Sequence, residues 1–410
     1  MKSPAVFLTE ASSTSARQAL YALGRLGYAI DICDPQPLCL GRFSRYVRAW
    51  HRCPPFATEP AAYVDFLIKL LKRRRYDVLI PVHDQVYLLA RFRDLLQKHV
   101  AVALPPLASV DQVQSKSVFV KLLDTLALPH PATNVVSRAG ELRRSWNFPC
   151  YIKLAYGTAG TGVWLARDRQ ETDQIASALE DTRLADQEIL IQEPARGTFG
   201  VTQAVFGHGQ LLAAHSYQAL ALGVGGSARS RESILQPVVE SHLRQLGSTL
   251  QWHGALHVEY FYDSATGQPS YIDANPRLGE TLNATLSGTN LCEHLVQVSL
   301  GRRITPAPRS RVGVRTHSLL TSVLATAERG LGRRALVKEV WDAWQNRGLY
   351  QASQDELNRP TDDWLSTMPL AAVFLRLLVS PGAARRMVRR AVDDYGLTAA
   401  GVGRIRSLTR

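Results

Sequence analysis

The chain has 410 residues, is 46% hydrophobic and 20% charged, and carries a formal net charge of +13. That length allows two to four domains with real cores, and the composition is that of a soluble globular chain. No apolar run reaches the ~18 residues a membrane span requires. The five cysteines (Cys33, Cys39, Cys53, Cys150, Cys292) form no CxxC pair, which argues against a structural zinc site and for a reducing, cytoplasmic setting.

The N-terminal stretch AVFLTE reads as a first β-strand rather than as part of a signal peptide. SARQALYALGRLG follows as an amphipathic helix ending at Gly27, then YAIDICD as a strand. EPAAYVDFLIKLLKRRR is a helix and YDVLIPV a third strand. This is the β-α-β rhythm of a parallel sheet covered by helices. Lys72, Arg73, Arg74 and Arg75 are read as cations complementing a helix C-terminus, not as a nucleic-acid patch. The first β-α loop, EASSTSA, lacks GxGxxG, so no dinucleotide fingerprint is present.

A helix beginning near Asp111 ends before Leu128-Pro129. FPCYIKLAYGTAGTGVWLA then reads as strand, glycine-rich loop, strand, with Lys153 entering a loop that holds Gly157, Gly160 and Gly162. Glycines let a backbone approach an anion, and a lysine beside them supplies a point charge for phosphate. The Walker pattern is excluded, because the lysine precedes the loop. Further on, GVGGSARSRES reads as a small-residue loop carrying Arg229 and Arg231, which could fork onto a carboxylate.

LHVEYFYDSATGQPSYIDANPR reads as a β-hairpin turning near Thr266, which sets Glu259 opposite Asp273. Alternation puts Asp273, Asn275 and Arg277 on one side. Two carboxylates and an amide, with no Cys or His ligand, suit a hard cation such as Mg²⁺ held together with phosphate oxygens. His257 shares that face and is read as either a proton acceptor or a satisfied core histidine. Asn283, just beyond, is a candidate substrate contact. After residue 301, RRITPAPRSR reads as a linker to a mostly helical tail. Residues 301 to 410 hold 19 Lys and Arg against 9 Asp and Glu, so ten of the thirteen net positive charges lie there. Within it, PLAAVFLRLLV and SPGAARRMVRRAV, with Arg376, Arg385, Arg386, Arg389 and Arg390, are read either as helices packed on the body or as a contact with anionic lipid.

Across residues 110 to 300 this order of motifs resembles the ATP-grasp superfamily, including its carboxylate–amine ligases and the large subunit of carbamoyl phosphate synthase. The resemblance implies an α/β (α+β grasp) fold. Residues 1–108 would be a parallel α/β pre-grasp domain and 109–302 a two-lobed ATP-grasp domain (small lobe about 118–192, large lobe about 193–302). Residues 303–410 would be a basic, mostly helical extension. It further implies that Lys116, Lys153 and the Gly157, Gly160 and Gly162 loop meet ATP phosphates. Gln192, Glu193 and Ala195 would lie at the adenine hinge, and Glu259, Asp273 and Asn275 would ligate Mg²⁺, or Mn²⁺ in its place. Arg277, with Arg229 and Arg231, would neutralise charge on the transferred phosphoryl group or the tetrahedral intermediate.

Two positions depart from the family pattern. The last-strand glutamate is Asp273 here, and the glutamate common after the hinge is missing from Gly197-Thr198-Phe199-Gly200. The implied activity is ATP-dependent coupling of a small carboxylate to an amine through an acylphosphate, in a cytoplasmic protein that binds no nucleic acid and forms a homodimer. The alternatives are an ATP-grasp kinase and a nucleotide sensor.

Overall fold

The computed structural model describes residues 3–157, 160–182, 187–304, 309–357, 360–384, 386–387 and 394–408. Four parallel strands form the first sheet: β1 (Ala5–Leu8), β2 (Ala29–Asp34), β3 (Val47–Arg52) and β4 (Val78–Ile80), in the order β3-β2-β1-β4. Alternation along β1 sends Phe7 to one face and Val6 and Leu8 to the other. Phe7 joins Tyr63, Leu67 and Leu79, whereas Val6 and Leu8 join Leu20, Leu23, Leu295 and Val296. The helix Thr14–Gly24 starts where Ser13 Oγ accepts the amide of Ala16 at 3.0 Å. It ends three residues before Gly27, and β3 is a strand that the sequence reading passed over.

The second sheet is antiparallel, with β5 (Thr133–Val136), β6 (Cys150–Leu154), β7 (Val163–Ala166) and β8 (Ile189–Gln192) in the order β5-β8-β6-β7. Asp168 caps the helix Arg169–Glu180, which buries Ala176 and Leu179 on that sheet.

The third sheet has seven strands. β9 (Thr198–Gly207), β10 (Gln210–Leu222), β11 (Ala228–Ile234), β12 (Gly254–Asp263) and β13 (Gln268–Asn275) are joined by two short strands, β14 (Arg315–His317) and β15 (Ser353–Asp355). Their order is β13-β12-β9-β10-β11-β14-β15. Trp252, Tyr260, Tyr271 and Phe206 pack under the helix Pro237–Leu250.

The segment after residue 302 is therefore built into the body. β14 pairs antiparallel with β11, and β15 pairs parallel with β14. Helices Leu319–Glu328, Gly332–Trp344 and Met368–Val379 enclose Val323, Leu336 and Leu377. The final helix, Ala399–Ser407, returns to the first domain, where Val402 and Ile405 enter the core beside Tyr63 and Leu67. Arg406 closes that seam on Asp111 at 2.7 Å. Met368, Leu375, Val379, Trp341 and Trp344 stay exposed on the outer helices. Of the arginines read as lipid contacts, Arg385, Arg389 and Arg390 lie outside the described residues. No helix among the described residues is long and apolar enough to cross a membrane.

Candidate active site

A cavity of about 400 Å³ lies where the three sheets meet. Its metal-type edge is the β12–β13 hairpin. The register pairs Glu259 with Asp273, as the sequence reading places them, and it also pairs His257 with Asn275. All four line the cavity.

Strand β6 and the helix Lys116–Thr125 supply the opposing cations. Lys153, on β6, is 7% exposed and donates to Gln192 Oε1 at 2.6 Å. Lys116, the first residue of the helix Lys116–Thr125, reaches Asp273 at 3.1 Å and the carbonyl of Gly157 at 3.2 Å. Burial pushes the Asp273 carboxyl up and Glu259 adds to this, against the pull of Lys116. Burial would raise Glu259 as well, but His257, Lys116 and Arg277 hold it below its ordinary value. The two facing carboxylates are thus offset by one shared ammonium, Lys116, which pairs with Asp273 and also pulls on Glu259. Among the described residues no cluster of three or more His, Cys, Asp or Glu could hold a metal ion. Glu259, Asp273 and Asn275 therefore fit Mg²⁺ only in the manner of a site completed by substrate phosphate oxygens and water.

Burial pushes the Lys153 ammonium down to about 8, although Asp273 pulls it the other way. The unfolded chain then holds the extra proton between about pH 8 and the ordinary lysine value. This group's penalty on the fold is present below pH 8 and is relieved as pH rises through that window. Phosphate binding runs opposite, because the ammonium is the useful form. Mg·ATP affinity is expected to fall about fivefold between pH 8 and pH 9 as the ammonium is lost. Lys153→Arg should flatten that profile in calorimetric titrations, and an unchanged slope would remove Lys153 from the phosphate site.

The described residues of the glycine loop border the cavity. Gly157 and Gly160 line it, while Gly162 sits at the loop base, its carbonyl accepting the amide of Leu154 at 2.8 Å. Gly160 has φ +74°, and a Cβ there would come within 2.7 Å of the Gly225 backbone. Gly160→Ala combines left-handed strain, roughly 1–2 kcal/mol, with that clash. It is expected to weaken Mg·ATP binding roughly 5–30-fold. Unchanged affinity would mean that the loop does not close over the nucleotide.

At the other end, Gln192, Glu193 and Ala195 line the cavity beside Tyr151, Val163, Phe199, Phe261 and Ile272. Phe199 and Phe261 meet edge to face at 5.6 Å. This apolar slot with a polar rim suits a flat base. Its aromatics were not singled out from the sequence, since each reads as an ordinary core residue of its strand.

The arginines separate. Arg277 lines the cavity and is held by buried Asp84, Nε to Oδ1 at 3.1 Å. Arg229 and Arg231 belong to strand β11, not to a loop. The structure brings Arg231 to the cavity but not Arg229, which pairs with Glu339 of the helix Gly332–Trp344 at 3.2 Å. Arg231 is itself enclosed by Glu356, Glu280 and the carbonyl of Ala228. Neither arginine is a free fork for a carboxylate.

Asn283 is fully buried, bonded to His215 at 2.8 Å and donating to Val314 and Thr316, away from the cavity. His257 is not a satisfied core histidine. Its Nε2 is 3.3 Å from Glu259, and neither ring nitrogen has a hydrogen-bond partner among the described residues. Ser13, Thr14, Ser15, His83 and Glu280 also line the cavity, and sequence reasoning missed all five as site residues. Glu280, three residues beyond Arg277, was within reach of the motif that marks the hairpin.

A family model described as the RimK-like ATP-grasp domain matches residues 120–196. Among solved structures, the chain is similar to an L-amino acid ligase from Bacillus licheniformis at 15% identity and a TM-score of 0.57, covering 74% of this chain and 76% of that one. It is similar to the 2-oxoglutarate carboxylase biotin carboxylase domain dimer of Hydrogenobacter thermophilus, described in complex with MgADP, ADP and bicarbonate. There the identity is 12% and the TM-score 0.61, over 77% and 74% of the two chains. It is also similar to N5-carboxyaminoimidazole synthetase from Staphylococcus aureus complexed with ADP, at 12% identity and a TM-score of 0.60, over 80% and 87%. Residues 120–196 are thus similar to a RimK-like ATP-grasp domain, and the chain shares its fold with these solved structures.

Proposed function

We propose that the protein is an ATP-dependent ligase that activates a substrate carboxylate as an acylphosphate and joins it to an amine, releasing ADP and phosphate. The observation that carries this reading is the convergence in one cavity of Lys116 and Lys153, the facing Glu259 and Asp273 with Asn275, and Arg277. Phosphoryl transfer asks for positioning and charge neutralisation more than for covalent chemistry from the protein, and this set supplies both.

A carboxylate oxygen would attack the γ-phosphorus while the bond to the β-phosphate oxygen breaks. An amine would then attack the acyl carbon, phosphate would leave, and the amine nitrogen would lose a proton. Lys116 and Lys153 would orient the phosphates, and Arg277 would face the charge that moves. A magnesium ion held by Glu259, Asp273 and Asn275 would supply Lewis acidity at the phosphate oxygens. The apolar slot by Glu193 would hold the adenine.

ADP and phosphate released with Mg·ATP only when pooled carboxylic acids and pooled amines are both present would support the ligase. ADP without phosphate would favour a kinase. No turnover, with Mg·ATP still raising the melting temperature, would favour a sensor.

A homodimer and a cytoplasmic setting belong to the same proposal, and light scattering tests the first. Contact of the segment PLAAVFLRLLV, on which Leu375 and Val379 are exposed, with anionic lipid is carried as a separate proposal. Vesicle pelleting of the full chain decides it, because a chain cut at residue 305 would lose Glu356 and two strands of the sheet.

A further inference from the structure

Each arginine at the substrate end of the cavity is already neutralised. Arg277 is held by Asp84, whose side chain is 2% exposed, and Arg231 by Glu356, whose side chain is 0% exposed. Glu356 is fixed in turn by Thr316 Oγ1, donating at 2.7 Å, and by Gln18 Nε2, donating at 3.1 Å. Glu280 is the second carboxylate on Arg231, at a longer 3.4 Å, and its side chain is 28% exposed on the cavity wall. Its other oxygen accepts from Thr14 Oγ1 at 2.8 Å. The Glu280–Arg231–Glu356 trio thus carries two negative charges and one positive. The N-terminus of the helix that begins at Thr14 adds only a partial positive charge. An excess negative charge faces the place where an acid would have to sit.

We infer that the acid substrate carries an ammonium group, as an amino acid does, and that Glu280 holds it while the carboxylate faces Arg277. This rests on the ligase reading above. The chemistry separates the two substrates. A carboxylate neighbour favours the ammonium form of an amine, and an ammonium is not a nucleophile. Glu280 therefore suits a spectator cation on the activated acid rather than the attacking amine. It is a specificity-determining residue that touches substrate.

Hydroxylamine can replace the amine and trap the acylphosphate as a hydroxamate, releasing phosphate. The test supplies Mg·ATP, hydroxylamine and either the pooled L-amino acids or a matched pool of the same acids lacking the amino group. Roughly 10–100-fold more hydroxamate is expected from the amino acids, the range of one charge-assisted hydrogen bond. Glu280→Gln should bring that ratio toward one and leave the Mg·ATP-induced rise in melting temperature intact, while Glu280→Asp retains part of the ratio. A merely structural role would lower both pools alike. Equal yields from both pools with the unmodified protein overturn the inference, as does full discrimination by Glu280→Gln. Hydroxamate from neither pool also overturns it. If Mg·ATP still raises the melting temperature in that case, only the substrate assignment falls; if it does not, the ligase reading falls too.

Discussion

Asp273→Asn is expected to slow ATP turnover by at least about 10²–10³-fold, the loss seen when one preorganised charge is removed from a developing transition state. The substitution keeps the shape of the side chain and removes one of two carboxylates that face each other across the hairpin. Its effect on folding should be small or favourable. Asp273 is pushed up by burial and by Glu259, so its ionised form is a cost to the fold. An inactive protein with an unchanged or raised melting temperature is the signature of a residue placed for chemistry. Full turnover by Asp273→Asn would remove this hairpin from the metal site.

Arg231→Met is expected to act in the opposite way, destabilising the fold by about 3–5 kcal/mol, because it leaves a buried carboxylate without its counter-charge. Burial would lower the arginine's proton affinity, yet Glu356 more than offsets this and holds the guanidinium charged. The partner is distant in sequence and sits just after β15. Arg231→Met combined with Glu356→Gln should recover most of the loss, since no unpaired charge then remains. Urea denaturation followed by circular dichroism reads both variants. A single variant within about 1 kcal/mol of the parent would show that the pair is not coupled in this way.

These two residues also mark how much the sequence discloses. The hairpin is legible because its information is local: alternation and a turn fix which side chains share a face, and Glu259 opposite Asp273 follows. The parallel character of the first sheet is legible from its β-α-β rhythm, although β3 is not. Arg231 is not, because nothing in SARSRES distinguishes a glycine-flanked loop from a strand until β14 pairs with it. β14 and β15 are three-residue polar segments with no apolar alternation, so a reading by periodicity assigns them to a tail. The partners that set charge in the cavity, Asp84 for Arg277 and Glu356 for Arg231, lie 193 and 125 residues away. Only the tertiary fold brings them there. Phe199 and Phe261 pose the converse difficulty, since an aromatic that lines a ligand slot and one that fills a core read alike along a strand.

The central claim is that a carboxylate oxygen of the acid substrate attacks the γ-phosphate. A pool of acids labelled with ¹⁸O in the carboxylate, incubated with Mg·ATP and pooled amines, tests this even while the acid itself is unidentified. Inorganic phosphate that gains one ¹⁸O per turnover, alongside ADP, is the expected result. Unlabelled phosphate, or AMP in place of ADP, would contradict the acylphosphate and with it the proposed reaction.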